Sequence, residues 1–387
     1  MKRIIKNRKE AYYNRKVCYC CEKPYEQAHS FYKEMCHECG EFNLLKRQQR
    51  TDLRGYRALV TGGRVKIGFE TAKLLLEMGA DVVITTRFPR DAYKRYEALH
   101  NFSEFKHHLQ IIGVDFRNIN SIHNLILYMK DKPLDILINN AAQTVRRPAP
   151  YYRHLLKDEL LASPCENIIS LYGDEKKQQE QLFPHIVNQS LNSAAMSQLK
   201  LLPEDNICDP DIFPPGKLDK DGQQIDLRKM NSWMYQFEEI PILELYEVLQ
   251  INLVAPVILT QQLMPLLMHS GRKSYVINVS AMEGNFFAPR KNSRHVHTNI
   301  AKAGLNMLTR TVSSHLKQFN IFMNSVDTGW ITNEKPNPQN LGPDKRKTIM
   351  AIDETDGAMR ILDPIIRGIG GSEDYGKLFK NYHEYPW

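Results

Sequence analysis

The chain carries a repeated pattern of short, continuous apolar runs separated by longer amphipathic stretches. Short apolar runs bounded by turn residues are typical of strands covered on both faces, whereas apolar residues spaced three or four apart are typical of helices. This alternation predicts an α/β fold with a doubly wound parallel sheet. In the first half, the predicted strands cover 57–60, 82–84, 109–114 and 134–138, and the predicted helices between them cover 67–78 and 118–130.

The same pattern resumes toward the C-terminus. The predicted elements there are a helix at 242–269, a strand at 274–279, a helix at 299–319, a strand at 321–326 and a short last strand at 376–382. We expect residues 53–146 and 237–387 to form the two halves of one sheet domain, because sequential strands of such folds usually lie side by side.

The intervening residues 147–236 break the pattern, with eight prolines between Pro148 and Pro215. Short helices are predicted at 152–162 and 185–201. A βα connection usually takes about 2–6 residues, so a stretch this long predicts a large insertion that acts as a subdomain or lid. It follows the fourth strand, and we therefore expect it over the ligand end of the sheet.

Residues 1–52 are predicted to form a small zinc-binding module. Two Cys-x-x-Cys pairs lie fourteen residues apart, as in a zinc ribbon, and four thiolates complete a tetrahedral shell. So small a segment would gain its folding energy from the metal. Cys20 lies between Cys18 and Cys21, so the sequence leaves open which two cysteines form the first pair. His29 and His37 are alternative ligands. The predicted structural zinc ligands are Cys18, Cys21, Cys36 and Cys39.

Composition and charge indicate a cytoplasmic globular protein with a basic N-terminal segment. Hydrophobic residues make up 42% of the chain, and no apolar run approaches the ~18–20 residues of a membrane span. The N-terminus lacks the apolar segment of a secretion signal. Residues 1–50 hold twelve Lys and Arg against six Glu, a net charge of +6 out of +8 overall. Such a segment could contact nucleic acid, an acidic partner, an acidic face of its own body, or solvent alone.

Candidate ligand residues fall where the predicted strands end. Thr61-Gly62-Gly63, Arg87, Asp115 and Asn140 each follow one of the strands. Ligands of doubly wound sheets bind at these carboxyl ends. Glycines at the first turn let backbone N–H groups and a helix N-terminus approach a pyrophosphate. A glycine-rich turn that binds no nucleotide is the alternative.

Several short motifs, in order along the chain, resemble those of the short-chain dehydrogenase/reductase family. Thr61-Gly62-x-x-x-Lys66-Ile67-Gly68 is similar to the family's T-G-x-x-x-G-I-G, and Asn139-Asn140-Ala141-Ala142 resembles its N-N-A-G. Asp327-Thr328-Gly329-Trp330-Ile331-Thr332 resembles the P-G-x-x-x-T that holds the nicotinamide end of the cofactor. The resemblance covers residues 56–146 and 237–382.

The resemblance implies a Rossmann-like sheet, a nicotinamide cofactor and a carbonyl or alcohol substrate. Asn252, Ser280 and Lys302 match the family's helix Asn, strand-end Ser and catalytic Lys. Lys302 is then expected to bind the nicotinamide ribose, and Asn252 to shape a proton or water path. Family members often pair through the helices found here at 242–269 and 299–319, which implies a homodimer or homotetramer. The residues expected to bind the cofactor are Thr61, Gly62, Gly63, Arg64, Ile67, Gly68, Arg87, Asp115, Asn140, Ala141, Lys302, Thr328, Gly329, Ile331 and Thr332.

The end of the second strand favours NADP(H) over NAD(H). An NAD site requires a carboxylate there to accept hydrogen bonds from the ribose hydroxyls. This chain instead has Thr85-Thr86-Arg87, with Arg90 and Arg64 nearby. Guanidinium groups pair bidentately with a 2′-phosphate, although exposed arginines that bind nothing are the alternative.

Two departures from the family pattern matter for the chemistry. Lys66 replaces the middle glycine and brings a long side chain into the phosphate loop. Thr298 stands where the family has its acid/base tyrosine, in Thr298-Asn-Ile-Ala-Lys302. A threonine hydroxyl can hold a substrate oxygen, as can Ser280, but it is a poor proton donor at pH 7. Residues 223–228, 231–233 and 297–302 also resemble an uncharacterised subgroup of the family that has a zinc-ribbon-like N-terminal segment. In that subgroup a threonine at this position would be normal.

Three hypotheses answer the loss of the tyrosine. His297, or less favourably His295, could supply the proton, because histidine titrates near neutral pH. Tyr151 or Tyr152 of the insertion could reach the site. Otherwise the protein performs no hydride chemistry. It would then be a nucleotide-binding pseudoenzyme that acts as a sensor or scaffold, or an adaptor that works through its zinc module.

Overall fold

The computed structural model describes residues 16–159, 165–169, 171, 193–207, 209–288, 291–332, 334, 336 and 350–387. The strands in this part of the chain are β1 (Lys16–Val17), β2 (Pro24–Tyr25), β3 (Arg57–Thr61), β4 (Asp81–Thr86), β5 (Leu109–Gly113), β6 (Ile136–Asn139), β7 (Ile168–Ile169), β8 (Ser274–Ser280), β9 (Ile321–Asp327), β10 (Leu378–Lys380) and β11 (His383–Tyr385).

Nine of these strands form one sheet in the order β11-β10-β9-β8-β6-β3-β4-β5-β7. Neighbouring strands are parallel except β10 and β11, which form an antiparallel hairpin at one edge. The strand order reverses between β3 and β6, so the carboxyl ends of these strands border the crevice in which such sheets bind ligands. The predicted doubly wound α/β fold is therefore confirmed.

Helices cover both faces of the sheet. They are α1 (His37–Gln48), α2 (Lys66–Glu77), α3 (Pro89–Glu97), α4 (Phe102–Phe105), α5 (Ile119–Met129), α6 (Ala149–Glu159), α7 (Ile242–Leu249), α8 (Ala255–Met268), α9 (Val296–Lys317) and α10 (Glu354–Ile369). A π-helical turn, Gln250–Val254, joins α7 to α8. Successive strand residues alternate between the two faces. Val60 and Ile84 pack with α2, α3 and α10, whereas Leu59 and Val83 pack with α5, α8 and α9.

The structure corrects the prediction for the insertion in three places. The helix expected at 152–162 begins at Ala149 as α6, since proline is well tolerated in a first helical turn; residues 160–162 lie outside the described residues. Of the helix expected at 185–201, residues 185–192 also lie outside, and 193–201 contains the short 3₁₀ turn Ala195–Gln198 instead. The insertion also adds β7 to the sheet edge beside β5, which was not predicted.

Helix α10 was missed by the sequence analysis, although it lies in the core. Gly357 and Pro364 fall inside it and interrupt the helical pattern. Its start is nevertheless marked, because Asp353 and Asp356 form a capping box. Ile361 is fully buried against the sheet.

One helical stretch of the described residues, Ile242–Met268, is long and apolar enough to cross a membrane by length and composition. This corrects the expectation that no segment is apolar enough. One such helix is weak evidence for a membrane span, and Leu259 and Leu263 of this stretch are buried in the core. The predicted domain boundaries after residues 52, 146 and 236 remain predictions.

Candidate active site and cofactor cleft

The turn after β3 forms the floor of a cleft of about 440 Å³ at the carboxyl ends of the strands. Gly62 has a φ of +73°, which L-residues rarely adopt. A Cβ on Gly68 would lie 2.1 Å from the carbonyl oxygen of Gly62, so only glycine permits this close packing. The Asn140 side chain donates to the carbonyl oxygens of Thr61 and Gly62, at 2.9 and 3.2 Å, and the Thr61 hydroxyl accepts from the Ala141 N–H at 2.9 Å. Thr61, Asn140 and Ala141 thus tie the turn to the end of β6.

Lys66 lines this cleft, and its side chain forms an ion pair with Glu334. It adopts a φ of +54°, so the position keeps the left-handed backbone that the family's glycine would favour. Its ammonium lies 3.1 Å from the Glu334 carboxylate. Glu334 also accepts from the Thr332 hydroxyl at 2.9 Å and lies 3.6 Å from Arg147. Lys66 and Arg147 lower the pKa of Glu334 to about 2, against the raising effect of burial.

Two guanidinium groups lie near the ring of Phe88, just beyond β4. The guanidinium carbons of Arg64 and Arg87 lie 5.3 and 5.5 Å from the centre of the Phe88 ring. Arg87 also donates to the Tyr152 hydroxyl at 2.8 Å and lies 4.6 Å from its ring centre. Arg64 is buried and paired with Asp91 at 2.6 Å. Thr85 and Thr86 complete this end of the cleft, so the carboxyl end of β4 carries no carboxylate.

Asp115, at the end of β5, also lines the cleft but is already paired. Its carboxylate is buried and lies 2.6 Å from Arg117. Arg117 is the main cause that lowers the pKa of Asp115, although burial acts in the opposite direction. Arg117 reaches Glu247 of α7 at 3.4 Å, so this pair joins the cleft wall to the second half of the domain.

Ser280, Thr298 and Lys302 are buried on adjoining elements, at the end of β8 and in the first turns of α9. The Lys302 ammonium donates to the Val279 carbonyl at 2.6 Å, and burial lowers its pKa to about 8. Thr298 is one helical turn from Lys302, so both side chains share one face of α9. The hydroxyls of Ser280 and Thr298 find no hydrogen-bond partner among the described residues. Buried hydroxyls of this kind are available for a ligand oxygen.

Asn252 lies in the π-helical turn and binds the backbone of Gln143. Its side-chain oxygen accepts from the Gln143 N–H at 2.7 Å, and its amide donates to the Gln143 carbonyl at 3.0 Å. π-turns often occur at functional sites. Here the asparagine fixes the loop that follows β6 against α7 and α8.

Of the two histidines before Thr298, His297 is buried and His295 is partly buried. Burial lowers the pKa of His297 to about 4, so its ring is neutral at pH 7. Its Nε2 lies 3.9 Å from the Glu244 carboxylate, and neither ring nitrogen has a hydrogen-bond partner in the part of the chain that is described. His295 instead packs against Trp233, with ring centres 3.8 Å apart and ring planes tilted by 35°.

Tyr151 and Tyr152 line the cleft, whereas His297 and Thr298 are not among the residues that line it. Tyr152 stacks on Phe88 at 5.3 Å, beside β4, and Tyr151 packs against it. In the sheet β4 is three strand positions from β8, a separation of about 14 Å. The structure therefore does not bring these insertion tyrosines to Thr298.

The loop after β9 closes the cleft on its other side. The Gly329 N–H donates to the Asp327 carboxylate at 2.8 Å, and the Thr328 carbonyl accepts from Arg360 of α10 at 3.0 Å. Ile331 is buried, and Thr332 reaches Glu334. The sequence analysis missed Glu334 and Arg360, because neither falls within a motif. The position of Glu334 two residues after Thr332 was the one available signal.

The four predicted zinc ligands come together. The Sγ atoms of Cys18, Cys21, Cys36 and Cys39 all lie within 4.8 Å of one another. The alternative ligands lie elsewhere: Cys20 contacts Met35 and Asn43, and His29 binds Glu41 at 2.9 Å through Nε2. His37 is exposed and lies 3.8 Å from Glu41. The donor set suits a structural tetrahedral site.

The chain is similar to one known family and to several known proteins over parts of its length. The family model described as short chain dehydrogenase matches residues 56–158 and 229–341, more than half of the chain, and leaves out most of the insertion. Uncharacterized protein R665 of Acanthamoeba polyphaga mimivirus is 31% identical over 369 residues, which cover 90% of this chain and 71% of that protein. A (+)-neomenthol dehydrogenase of Capsicum annuum is 39% identical over 87 residues, or 22% of this chain and 28% of that protein.

Among solved structures, the Pseudomonas aeruginosa RhlG/NADP active-site complex is similar with a TM-score of 0.52. It is 20% identical, and the match covers 85% of this chain and 95% of that one. At this identity the likeness concerns the fold.

Proposed function

Because the chain belongs to the short-chain dehydrogenase family, we propose that it is an NADP(H)-dependent oxidoreductase of a carbonyl or alcohol substrate. The observation that carries the cofactor assignment is the pair of guanidinium groups of Arg64 and Arg87, whose carbons lie 5.3 and 5.5 Å from the centre of the Phe88 ring. They lie where an NAD site requires a carboxylate, and they match a 2′-phosphate. The relative solved with NADP supports the same choice.

The proposed cofactor site follows the cleft. The turn from Thr61 to Gly68 would present backbone N–H groups to the pyrophosphate. Asn140 and Ala141 would support this turn from β6, and Asp115 would border the adenine. The segment from Thr328 to Thr332 would hold the nicotinamide end. When bound, the cofactor supplies or accepts the hydride.

The catalytic end would be formed by Ser280, Thr298 and Lys302. The two hydroxyls have no other partner among the described residues, so they are available to hold the substrate oxygen. Lys302 would bind the nicotinamide ribose. Burial lowers its pKa to about 8, so its ammonium is the best-matched proton source near neutral pH, whereas Thr298 would only hold the substrate oxygen by a hydrogen bond. Asn252 would order the path by which the proton is replaced.

His297 is the alternative acid/base. Its lowered pKa of about 4 makes it a proton acceptor rather than a donor at pH 7, which suits alcohol oxidation better than carbonyl reduction. A His297→Asn variant separates the two routes. It should retain carbonyl reduction if Lys302 supplies the proton.

A Lys302→Ala variant tests the enzyme assignment. Turnover of a carbonyl panel with NADPH should fall at least a hundredfold while the circular dichroism spectrum is unchanged. Unchanged turnover in the folded variant would contradict the assignment of the protein as an oxidoreductase that uses Lys302.

A nucleotide-binding pseudoenzyme is the second candidate. Thr298 in place of the tyrosine supports it, as does the burial of Ser280, Thr298 and Lys302. It predicts NADPH binding without turnover on a broad carbonyl and alcohol panel. The adaptor hypothesis is less favoured, because Lys46 and Arg47 of the basic segment bind acidic residues of the same chain, Asp363 and Asp353.

We also propose that the N-terminal cysteines bind a structural zinc ion and that the protein pairs through α7 and α9. Ile242, Tyr246, Ile300 and Met307 are large apolar side chains left exposed on these helices. Such a surface is typical of an interface between copies. Light scattering after size exclusion should give a dimer or tetramer, and a monomer alone would contradict the pairing.

A further inference from the structure

The N-terminal cysteine module is docked on the loop that follows β9. Tyr19, next to the ligand Cys18, accepts a hydrogen bond from the Trp330 N–H at 2.8 Å. The fit at Gly329 is equally close, because a Cβ there would lie 2.6 Å from the Tyr19 hydroxyl oxygen. The module therefore binds the backbone N–H of Trp330 and packs closely against Gly329, in the segment proposed to bind the nicotinamide.

A second contact reaches the same segment through a buried arginine. Arg360 is 1% exposed and donates to the Thr328 carbonyl at 3.0 Å. Its other terminal nitrogen donates to the side chain of Asn43, in α1 of the module, at 3.1 Å. Asn43 in turn donates to the Cys39 carbonyl at 2.8 Å. One chain of hydrogen bonds thus joins a cysteine ligand to Thr328.

A third set of contacts fixes the start of α10. The Tyr32 hydroxyl donates to Asp356 at 2.6 Å, and Arg47 binds Asp353 at 2.6 Å and Asp356 at 2.9 Å. Ile331 belongs to the same hydrophobic cluster as Tyr32. The module consequently holds both ends of the stretch from β9 to α10.

We propose that the cysteine module is a positioning element for the nucleotide and that metal binding and nucleotide binding are coupled through Tyr19. This inference rests on the proposed function, since it concerns the same cofactor loop. A module of this size depends on its metal for its fold, so loss of the metal releases Tyr19 from the Trp330 N–H. By linkage, the bound nucleotide strengthens metal retention by the same factor by which metal strengthens nucleotide binding.

The test compares two tyrosines of the module in the full-length, zinc-loaded protein. Tyr19→Phe removes the hydroxyl that reaches the cofactor loop. Tyr25→Phe is the matched control, because the Tyr25 hydroxyl donates to Lys33 within the module at 3.1 Å. NADPH affinity is measured by calorimetry. Loss of one such hydrogen bond predicts roughly 3- to 10-fold weaker NADPH binding for Tyr19→Phe and a change below about twofold for Tyr25→Phe.

The reciprocal measurement uses the unmodified protein and does not depend on how a variant folds. Zinc release to a chelating indicator is followed with and without saturating NADPH. Slower release with NADPH supports the coupling; equal release, together with equal NADPH affinity of the two variants, overturns it. If the unmodified protein binds zinc but no NADPH, the proposed function fails, and the coupling fails with it for that separate reason.

Discussion

Replacement of Arg87 provides a specific test of cofactor choice. Its guanidinium is held by the Tyr152 hydroxyl at 2.8 Å and by the Tyr152 and Phe88 rings at 4.6 and 5.5 Å, so it is already oriented before a nucleotide binds. A hydrogen bond to a charged group contributes about 1.5–3 kcal/mol. At about 1.4 kcal/mol per tenfold change, Arg87→Ala should weaken NADPH binding by roughly 10- to 100-fold. Arg64 remains in place and limits the loss.

The comparison with NADH isolates the 2′-phosphate. NADH lacks this group, so Arg87→Ala should change its affinity by less than about threefold. Tyr152→Phe keeps the ring under the guanidinium and removes one hydrogen bond, which should weaken NADPH binding by about 2- to 10-fold. Both affinities are measured by calorimetry at one fixed salt concentration, because charge pairing weakens as salt rises.

Lys94→Ala is the matched control. It removes the same charge from α3, where Lys94 is exposed and pairs with Asp158 at 2.6 Å outside the cleft. It should leave both affinities unchanged. Equal losses of NADPH and NADH affinity in Arg87→Ala, or the same NADPH loss in Lys94→Ala, would refute the role of Arg87.

Two further variants test the other groups of the cleft. Burial lowers the pKa of Lys302 to about 8 from an ordinary 10.5. The unfolded chain then binds more protons between these values, so the free energy of unfolding should rise from about pH 8 to 10.5, and Lys302→Met should remove that rise in urea titrations; an identical slope in both proteins would contradict this pKa. Glu334→Gln should tighten NADPH binding by at least about threefold, because it removes a carboxylate that lies 3.1 Å from Lys66, in the turn where the phosphates are proposed to bind. Weaker binding in Glu334→Gln would show that Glu334 organises the site instead of opposing the phosphates.

The strands of the sheet were predictable because their side chains are buried on both faces. Continuous apolar runs such as those of β3 and β4 are typical of buried parallel strands. Their order in the sequence was enough to predict the doubly wound fold. The residues at strand ends, including Thr61 and Asn140, followed from that prediction because parallel strands place their carboxyl ends at one edge.

Helix α10 shows where local pattern reasoning fails. Its glycine and proline weaken the helical pattern, and its stability comes from packing on α2 and the sheet, which no local window contains. The insertion was harder still. The edge strand β7 is two residues long, so its pairing with β5 depends on tertiary contacts alone.

The chemistry of the cleft was predictable only in part. The sequence located Arg87 and Lys302 but could not show that they contact the Tyr152 hydroxyl and the Val279 carbonyl. The contact of Glu334 with Lys66 spans 268 residues, and the bond from Tyr19 to Trp330 spans 311. Contacts at such separations are set by the fold. For the same reason, the sequence could not predict that the cysteine module docks on the loop after β9, at Gly329 and Trp330.

A calorimetric titration of the unmodified, zinc-loaded protein with NADPH and with NADH tests the central claim most directly. The account predicts saturable binding of NADPH that is at least about tenfold tighter than that of NADH, since two guanidinium groups meet the 2′-phosphate. Equal affinities would contradict the assignment of Arg64 and Arg87. Binding of neither nucleotide would contradict the cofactor site itself. The protein would then have the family fold, but its cleft would bind another ligand.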